Sequence, residues 1–226
     1  DLGALGVTAG VRLLPVGEDE TPPTLIYYPA WARPMKGLFD MLGTLPGYRE
    51  ADLSPFFMVA LPIFAALLVG DAGYGLLLTL AGIVFYRRLA KKVGKPRAQL
   101  LVVFGVTCLL WGVLTAGYFG VTPEVLALKG GFVMSGVGGI SPDYEALWKE
   151  ENFYAQTVKL MTLVAPLWHE EPEVMRQMLI QVSLILGCLH LVTARLRRLI
   201  GLFPDQRALA ELGWAIVVVD VLVLVW

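Results

Sequence analysis

The chain has 226 residues, 57% apolar and 16% charged, with a formal net charge of −1 and a mean hydropathy of +0.67. Soluble domains run at about 45–50% apolar, so an excess gathered into long runs excludes an ordinary soluble globule, and the near-neutral balance excludes a generally basic nucleic-acid binder. Cys108 and Cys188 each lie inside an apolar run, which does not make a disulfide framework.

Residues 1–54 are the least hydrophobic part. Leu2 to Leu14 reads as a strand with a glycine turn, and Gly17-Glu18-Asp19-Glu20-Thr21-Pro22-Pro23 as a loop. Pro34 to Leu42 reads as a short amphipathic helix, with Met35, Leu38, Phe39 and Leu42 on one face. The stretch is too small to hold its own core. It is expected to be the end of a cytoplasmic domain and an elbow into a membrane domain covering 55–226.

Pro55 to Val69 is apolar, Gly70-Asp71-Ala72-Gly73-Tyr74-Gly75 interrupts, and Leu76 to Tyr86 is apolar again. As one helix this segment would run about 48 Å against a hydrocarbon layer of about 30 Å. It would also place Asp71 mid-membrane at roughly 2.5–3.5 kcal/mol. Folding at the glycines removes both problems, so a helical hairpin is favoured over a single span. Its arms would borrow length from residues 51–54 and from beyond Arg88.

Arg87, Arg88, Lys91, Lys92, Lys95 and Arg97 follow without an acid between them, a cytoplasmic loop by the positive-inside rule. Residues 98–120 are the next expected span, with Thr107, Cys108, Gly112, Thr115, Ala116 and Gly120 suggesting a closely packed face. Residues 121–172 are expected to be an external connection. It is loop-like around 129–139, acidic with scattered Trp and Tyr from 143 onward, and has a short helix over Phe153 to Leu167. A span over 174–199 ends in Arg195, Arg197 and Arg198, which with Arg207 mark a second cytoplasmic loop, and a last span covers 208–226. The reading is an all-α polytopic membrane protein with a short N-terminal soluble segment and spans at about 55–70, 75–90, 98–120, 174–199 and 208–226. It reads as an internal piece of a longer protein.

Intramembrane ionisable groups are functional candidates by default. Asp71 is either a turn-capping carboxylate or a group at the mouth of an ion pathway. His190 is either a proton relay or an interhelical histidine. Glu211 sits near the start of the last run, and Asp220 lies about 13 Å deeper along it, so Asp220 is expected to be buried against protein or a water-filled cavity. Arg195 and Arg198 are expected to snorkel to the interface. Gly70-x-x-Gly73-x-Gly75 lacks the lysine and the spacing of a phosphate loop, and no Ser-His-Asp arrangement, metal-ligand cluster or cofactor motif stands in the sequence.

Tyr48-Arg49-Glu50-Ala51-Asp52-Leu53-Ser54-Pro55-Phe56 followed by Val69-Gly70-Asp71-Ala72-Gly73-Tyr74-Gly75-Leu76 resembles the a/I subunit family of V-type and A-type rotary ATPases. There the elbow carries Pro-Thr where this chain has Leu53-Ser54. Pro22-Pro23-Thr24, Gly112 to Phe119 and Leu184-Ile185-Leu186-Gly187-Cys188-Leu189-His190-Leu191 add to the likeness. The resemblance implies a non-catalytic stator subunit of a proton-translocating ATPase or ATP synthase. It would stand beside a proteolipid ring and help form two proton half-channels, with peripheral-stalk and central-stalk-linked subunits, the lipid bilayer and no nucleic acid as partners. It implies a multi-pass protein, of the plasma membrane if the source is prokaryotic. Asp71 and His190 carry over as pathway candidates, with Gly70, Gly73, Tyr74 and Gly75 as the turn that builds the corner. The family's ring-facing arginine lies in later spans, so Arg195 does not inherit its role. A secondary transporter with a broken-helix site and a membrane scaffold without transport are the alternatives.

Overall fold

The computed structural model describes residues 17, 25–44, 47, 52–136 and 139–225. The expected strand over Leu2 to Leu14 and most of the loop after it lie outside these residues. The described elements are α1 (Arg33–Leu42), α2 (Ser54–Val69), α3 (Ala72–Val84), α4 (Tyr86–Val93), α5 (Lys95–Leu114), α6 (Pro123–Lys129), β1 (Val133–Gly136), β2 (Gly139–Pro142), α7 (Tyr144–Lys149), α8 (Phe153–Leu163), α9 (Pro172–Leu202) and α10 (Arg207–Val225). The molecule is predominantly helical, as its composition requires. Among the described residues three helices are long and apolar enough to cross a membrane: Lys95–Leu114, Glu173–Leu202 and Arg207–Val225.

The bend at Gly70-Asp71 follows from local chemistry. Pro55 opens α2, where its missing N–H removes no helical bond. Gly70 ends the helix in the left-handed region at φ 58° and donates its N–H to Ala66 O at 2.7 Å. Asp71 then caps α3 by accepting from Tyr74 N at 3.0 Å. The segment 55–86 is therefore two antiparallel helices rather than one, about 24 and 20 Å long at 1.5 Å per residue. The second arm is not a straight run to residue 90, because its helix is interrupted at Phe85 and resumes as the basic α4.

The arms of this hairpin pack on α5 rather than on each other. Helix α3 runs antiparallel to α5, and the two backbones approach so closely that a Cβ at Gly75 would strike Leu109, one at Gly105 would strike Thr79 and one at Gly112 would strike Ala72. Glycine is used here for approach, because apolar helices in lipid gain association energy from close packing rather than from hydrophobic exclusion. Thr79 returns its hydroxyl to Gly75 O at 2.8 Å and stays buried without an unpaired donor. Helix α2 runs parallel to α5, with Phe57, Met58 and Leu61 against Leu100 and Phe104. Met35 and Phe39 of α1 close the same cluster. Of the expected apolar face of α1, Met35 and Phe39 are buried and Leu38 is half-buried, whereas Leu42 is exposed.

Helix α5 stops at Leu114, short of the expected residue 120. Ala116 and Phe119 take positive φ (58° and 53°), which ends the helix although its apolar composition continues. Ala116 and Gly120 thus belong to a loop and not to the helix face. The loop-like stretch around 129–139 includes a strand: β1 pairs antiparallel with β2, Val133 opposite Pro142 and Gly136 opposite Gly139. The region 121–172 is more than a connection, since Ala127, Phe132, Tyr144, Leu147, Ala155 and Val158 form a buried core of their own. Thr122, Asp143 and Asn152 cap α6, α7 and α8.

Helices α9 and α10 form an antiparallel pair that touches the rest mainly through α2. Much of their apolar surface faces outward, including Ile200 at 73% and Leu224 at 87% exposure.

Candidate functional site

Asp71 sits where three segments meet. Its Oδ1 accepts from Tyr74 N at 3.0 Å and Phe119 N at 2.9 Å, and its Oδ2 from Gly120 N at 2.7 Å. Ala72 N donates to Gly117 O at 2.7 Å beside it. The carboxylate is 6% exposed. Burial alone would raise its pKa, but the backbone N–H groups of Gly120, Tyr74, Phe119 and Gly73 outweigh it and hold the carboxyl below its ordinary value. Asp71 lies in the turn between α2 and α3 and works there as a clasp, joining the α2–α3 corner to the loop after α5. Gly73 makes room for the Phe119 ring, which a Cβ would meet at 2.5 Å, and Tyr74 packs edge-on to that ring at 5.6 Å. Gly70 supplies the left-handed turn and Gly75 the contact with the α5 backbone.

His190 is half-buried on the side of α9 that meets α2. Phe57 and Phe64 stand edge-on to its ring, each with centroids 6.2 Å away. It lines a cavity of about 220 Å³ with Phe56, Ala60, Ile63 and Thr193. The surroundings are apolar, and among the described residues no side chain hydrogen-bonds the imidazole.

Glu211 is the second buried carboxylate of the helical region, at 8% exposure. Its Oε2 accepts from Arg195 Nη1 at 2.9 Å, and Arg198 Nε lies 3.1 Å from Oε1. Arg195 also lies over the Trp214 ring at 5.6 Å. The two arginines thus differ from expectation: both converge on Glu211 across the α9–α10 pair instead of snorkelling alone. Arg195 and Arg198 are three residues apart and so share one face of α9, a signal the sequence offered. Arg197 instead covers the Phe56 ring at 4.8 Å, tying the end of α9 to the start of α2.

Asp220 is exposed within this chain, on the side of α10 turned away from the α9-facing Val218 and Leu222, and among the described residues its side chain makes neither an ion pair nor a hydrogen bond. The four candidate residues do not form one cluster: Asp71 lies at the 116–120 end, Glu211 at the arginine end, and His190 and Asp220 face different neighbours. Among the described residues no group of three or more His, Cys, Asp or Glu could hold a metal ion.

Comparison with known proteins places this arrangement in context. Over 204 residues, 88% of this chain and 28% of the relative, the chain is 31% identical to V-type ATP synthase subunit I 1 of Treponema pallidum. It is 33% identical over 49% of its length to V-type ATP synthase subunit I of Borreliella burgdorferi, covering 18% of that protein. It is also 33% identical over 49% of its length to A-type ATP synthase subunit I of Archaeoglobus fulgidus, covering 16% of that protein. The chain therefore spans less than a third of the length of each of these relatives. No family model matches the chain, and no solved structure does.

Proposed function

The chain belongs to the subunit I family of V-type and A-type ATP synthases, and from that premise we propose that it is part of the stator of a rotary proton-translocating ATPase, beside a proteolipid ring. It would hold no ATP site and would shape the water access through which protons reach and leave the ring, coupling their flow to ATP synthesis or hydrolysis elsewhere in the complex. A ring carboxylate turns through lipid only when neutral, so a stator must offer polar access from each side at different angles. The bundle carries a fitting asymmetry. Asp71, which is saturated by backbone donors, marks one end, and the Glu211–Arg195–Arg198 group marks the other.

The orientation proposed puts the end bearing Ser54, Arg97 and Arg197 on the cytoplasmic side and the α6–α8 unit outside. The two basic segments then share one face, as the positive-inside rule requires. Within it, His190, Glu211 and Asp220 are the proposed pathway groups. Asp71 is proposed to act mainly as the clasp that fixes the corner, because its oxygens already accept three backbone hydrogen bonds.

The observation that carries the reading is the 31% identity to a V-type ATP synthase subunit I over 88% of the chain. The experiment is ATP-driven proton uptake by vesicles containing the complete complex. His190→Ala, Glu211→Gln and Asp220→Asn are expected to lower coupled pumping several-fold with assembly intact. Pumping unchanged in all three would remove them from any pathway. Purification without a proteolipid ring would count against the stator assignment itself.

A further inference from the structure

Two groups of cations stand out among the described residues. Lys36, Lys149, Arg176, Arg195 and Arg198 each face a carboxylate within 3.1 Å. Arg87, Arg88, Lys91, Lys92 and Lys95 do not: all five are exposed, and among the described residues none of their side chains makes a hydrogen bond or an ion pair. No acid lies between residues 86 and 97. The acids described near this end are otherwise engaged, Asp40 with Lys36 and Asp52 with Ser54.

Their placement is ordered. On α4, residues 87 and 91 stand four apart, as do 88 and 92, so these four cations form two adjoining rows on one face, and Lys95 follows the non-helical Gly94 at the start of α5. Tyr86, Leu89 and Ala90 are half-buried. The face does not begin with the cations. Leu77 (53% exposed), Leu80 (47%), Ile83 (58%) and Val84 (69%) precede them along the outward side of α3. The strip 77–80–84–88–92 is thus apolar for its first half and cationic for its second. The change falls where α3 gives way to α4, level with the start of α5 and of α2, where Arg97 reaches Gly37 O and Arg197 covers Phe56.

We propose that this strip binds anionic phospholipid, with acyl chains along Leu77 to Val84 and the phosphate headgroup held by Arg87, Arg88, Lys91, Lys92 and Lys95. Clusters of this size on a helix at a membrane surface attract anionic leaflets, and the apolar approach to the cations matches a molecule that is hydrocarbon at one end and anionic at the other. An acidic protein surface would satisfy the cations and leave the apolar half without a reason. The inference rests on the membrane embedding of the bundle and not on any proton path, so pumping assays and lipid assays can fail separately.

The test uses the complete complex, delipidated in detergent and titrated with phosphatidylglycerol or phosphatidylcholine, with bound lipid counted by native mass spectrometry. The wild-type protein is expected to retain phosphatidylglycerol at least ten-fold more tightly than phosphatidylcholine. The variant R87Q/R88Q/K91Q/K92Q/K95Q is expected to lose that preference, and R87K/R88K/K91R/K92R/K95R to keep it. Equal retention of both lipids by wild type, or an undiminished preference in the glutamine variant, overturns the proposal. So does a glutamine variant that keeps its lipid and sheds a neighbouring subunit, which would identify an acidic protein as the partner. Photo-crosslinking of diazirine-bearing phosphatidylglycerol to the unmodified protein needs no variant: adducts within residues 77–95 are expected, and their absence overturns it.

Discussion

The α2–α3–α5 group and the α9–α10 pair are both built from apolar helices, yet they are held together differently. In the first, glycines let backbones touch, and a carboxylate with three backbone partners locks the corner. In the second, a Cβ at Gly187, Gly201 or Gly213 would meet nothing within 4 Å, and the ion-paired Glu211 and the Cys188 thiol, donating to Val218 O at 3.9 Å, are polar links between the helices. The first group buries its glycine-lined seam but leaves apolar side chains such as Leu68, Val84 and Leu110 facing outward. The second keeps much of its apolar surface, and Asp220 with it, for whatever lies outside. Abundant glycine therefore does not by itself signal close helix packing; what matters is whether another backbone stands opposite.

The sharpest way to break the comparison is to add a side chain to each group. Gly112→Leu in the complete subunit should lower stability by about 3 kcal/mol or more, because the Cβ meets the Ala72 backbone and not a movable side-chain end. Gly187→Leu should change it by under about 0.5 kcal/mol. Thermal unfolding in detergent separates the two, and equal effects would erase the distinction.

Asp71→Asn comes next, at about 2–3 kcal/mol, since it weakens the bonds of a buried carboxylate to two loop N–H groups and a helix cap. The pH dependence has a definite sign. A carboxyl held below its ordinary value in the folded state adds stability that is complete above the unfolded pKa of about 3.9 and is lost as pH falls through the folded value. The gap between wild type and Asp71→Asn should therefore be full at neutral pH and shrink below about pH 4. A gap that widened on acidification would refute the clasp.

The smallest effect expected is at the ion pairs. A double-mutant cycle between Glu211 and Arg195 should give a coupling of about 1 kcal/mol, because Arg195 is 38% exposed and part of the attraction is screened. A coupling near zero would mean that the Arg195–Glu211 pair adds nothing to the joining of α9 and α10.

The sequence revealed the bend at Gly70-Asp71 because its signals are local: a left-handed glycine beside a capping aspartate. It did not reveal what else Asp71 holds, since the partners are main-chain N–H groups of Phe119 and Gly120, which any residue would supply. The end of α5 was hidden for a related reason. Apolar composition runs on through Phe119, and the helix stops through backbone conformation at Ala116 and Phe119 rather than through a breaker residue. The burial expected for Asp220 was a statement about its final surroundings, and within this chain that face of α10 is open. The hairpin over 133–142 was illegible among glycines, which give strand pairing no side-chain pattern.

One feature of the fold has a bearing on how the protein is made. Helices α2 and α3 scarcely touch, and each rests on α5, which is synthesised after both. While the ribosome is still adding residues before Leu114, the glycine stripe of α3 has no mate, and Asp71 lacks Phe119 and Gly120. The corner is therefore completed only when the fifth helix and the loop behind it arrive, so this part of the bundle assembles in the order its tightest contacts dictate and not in the order its helices emerge.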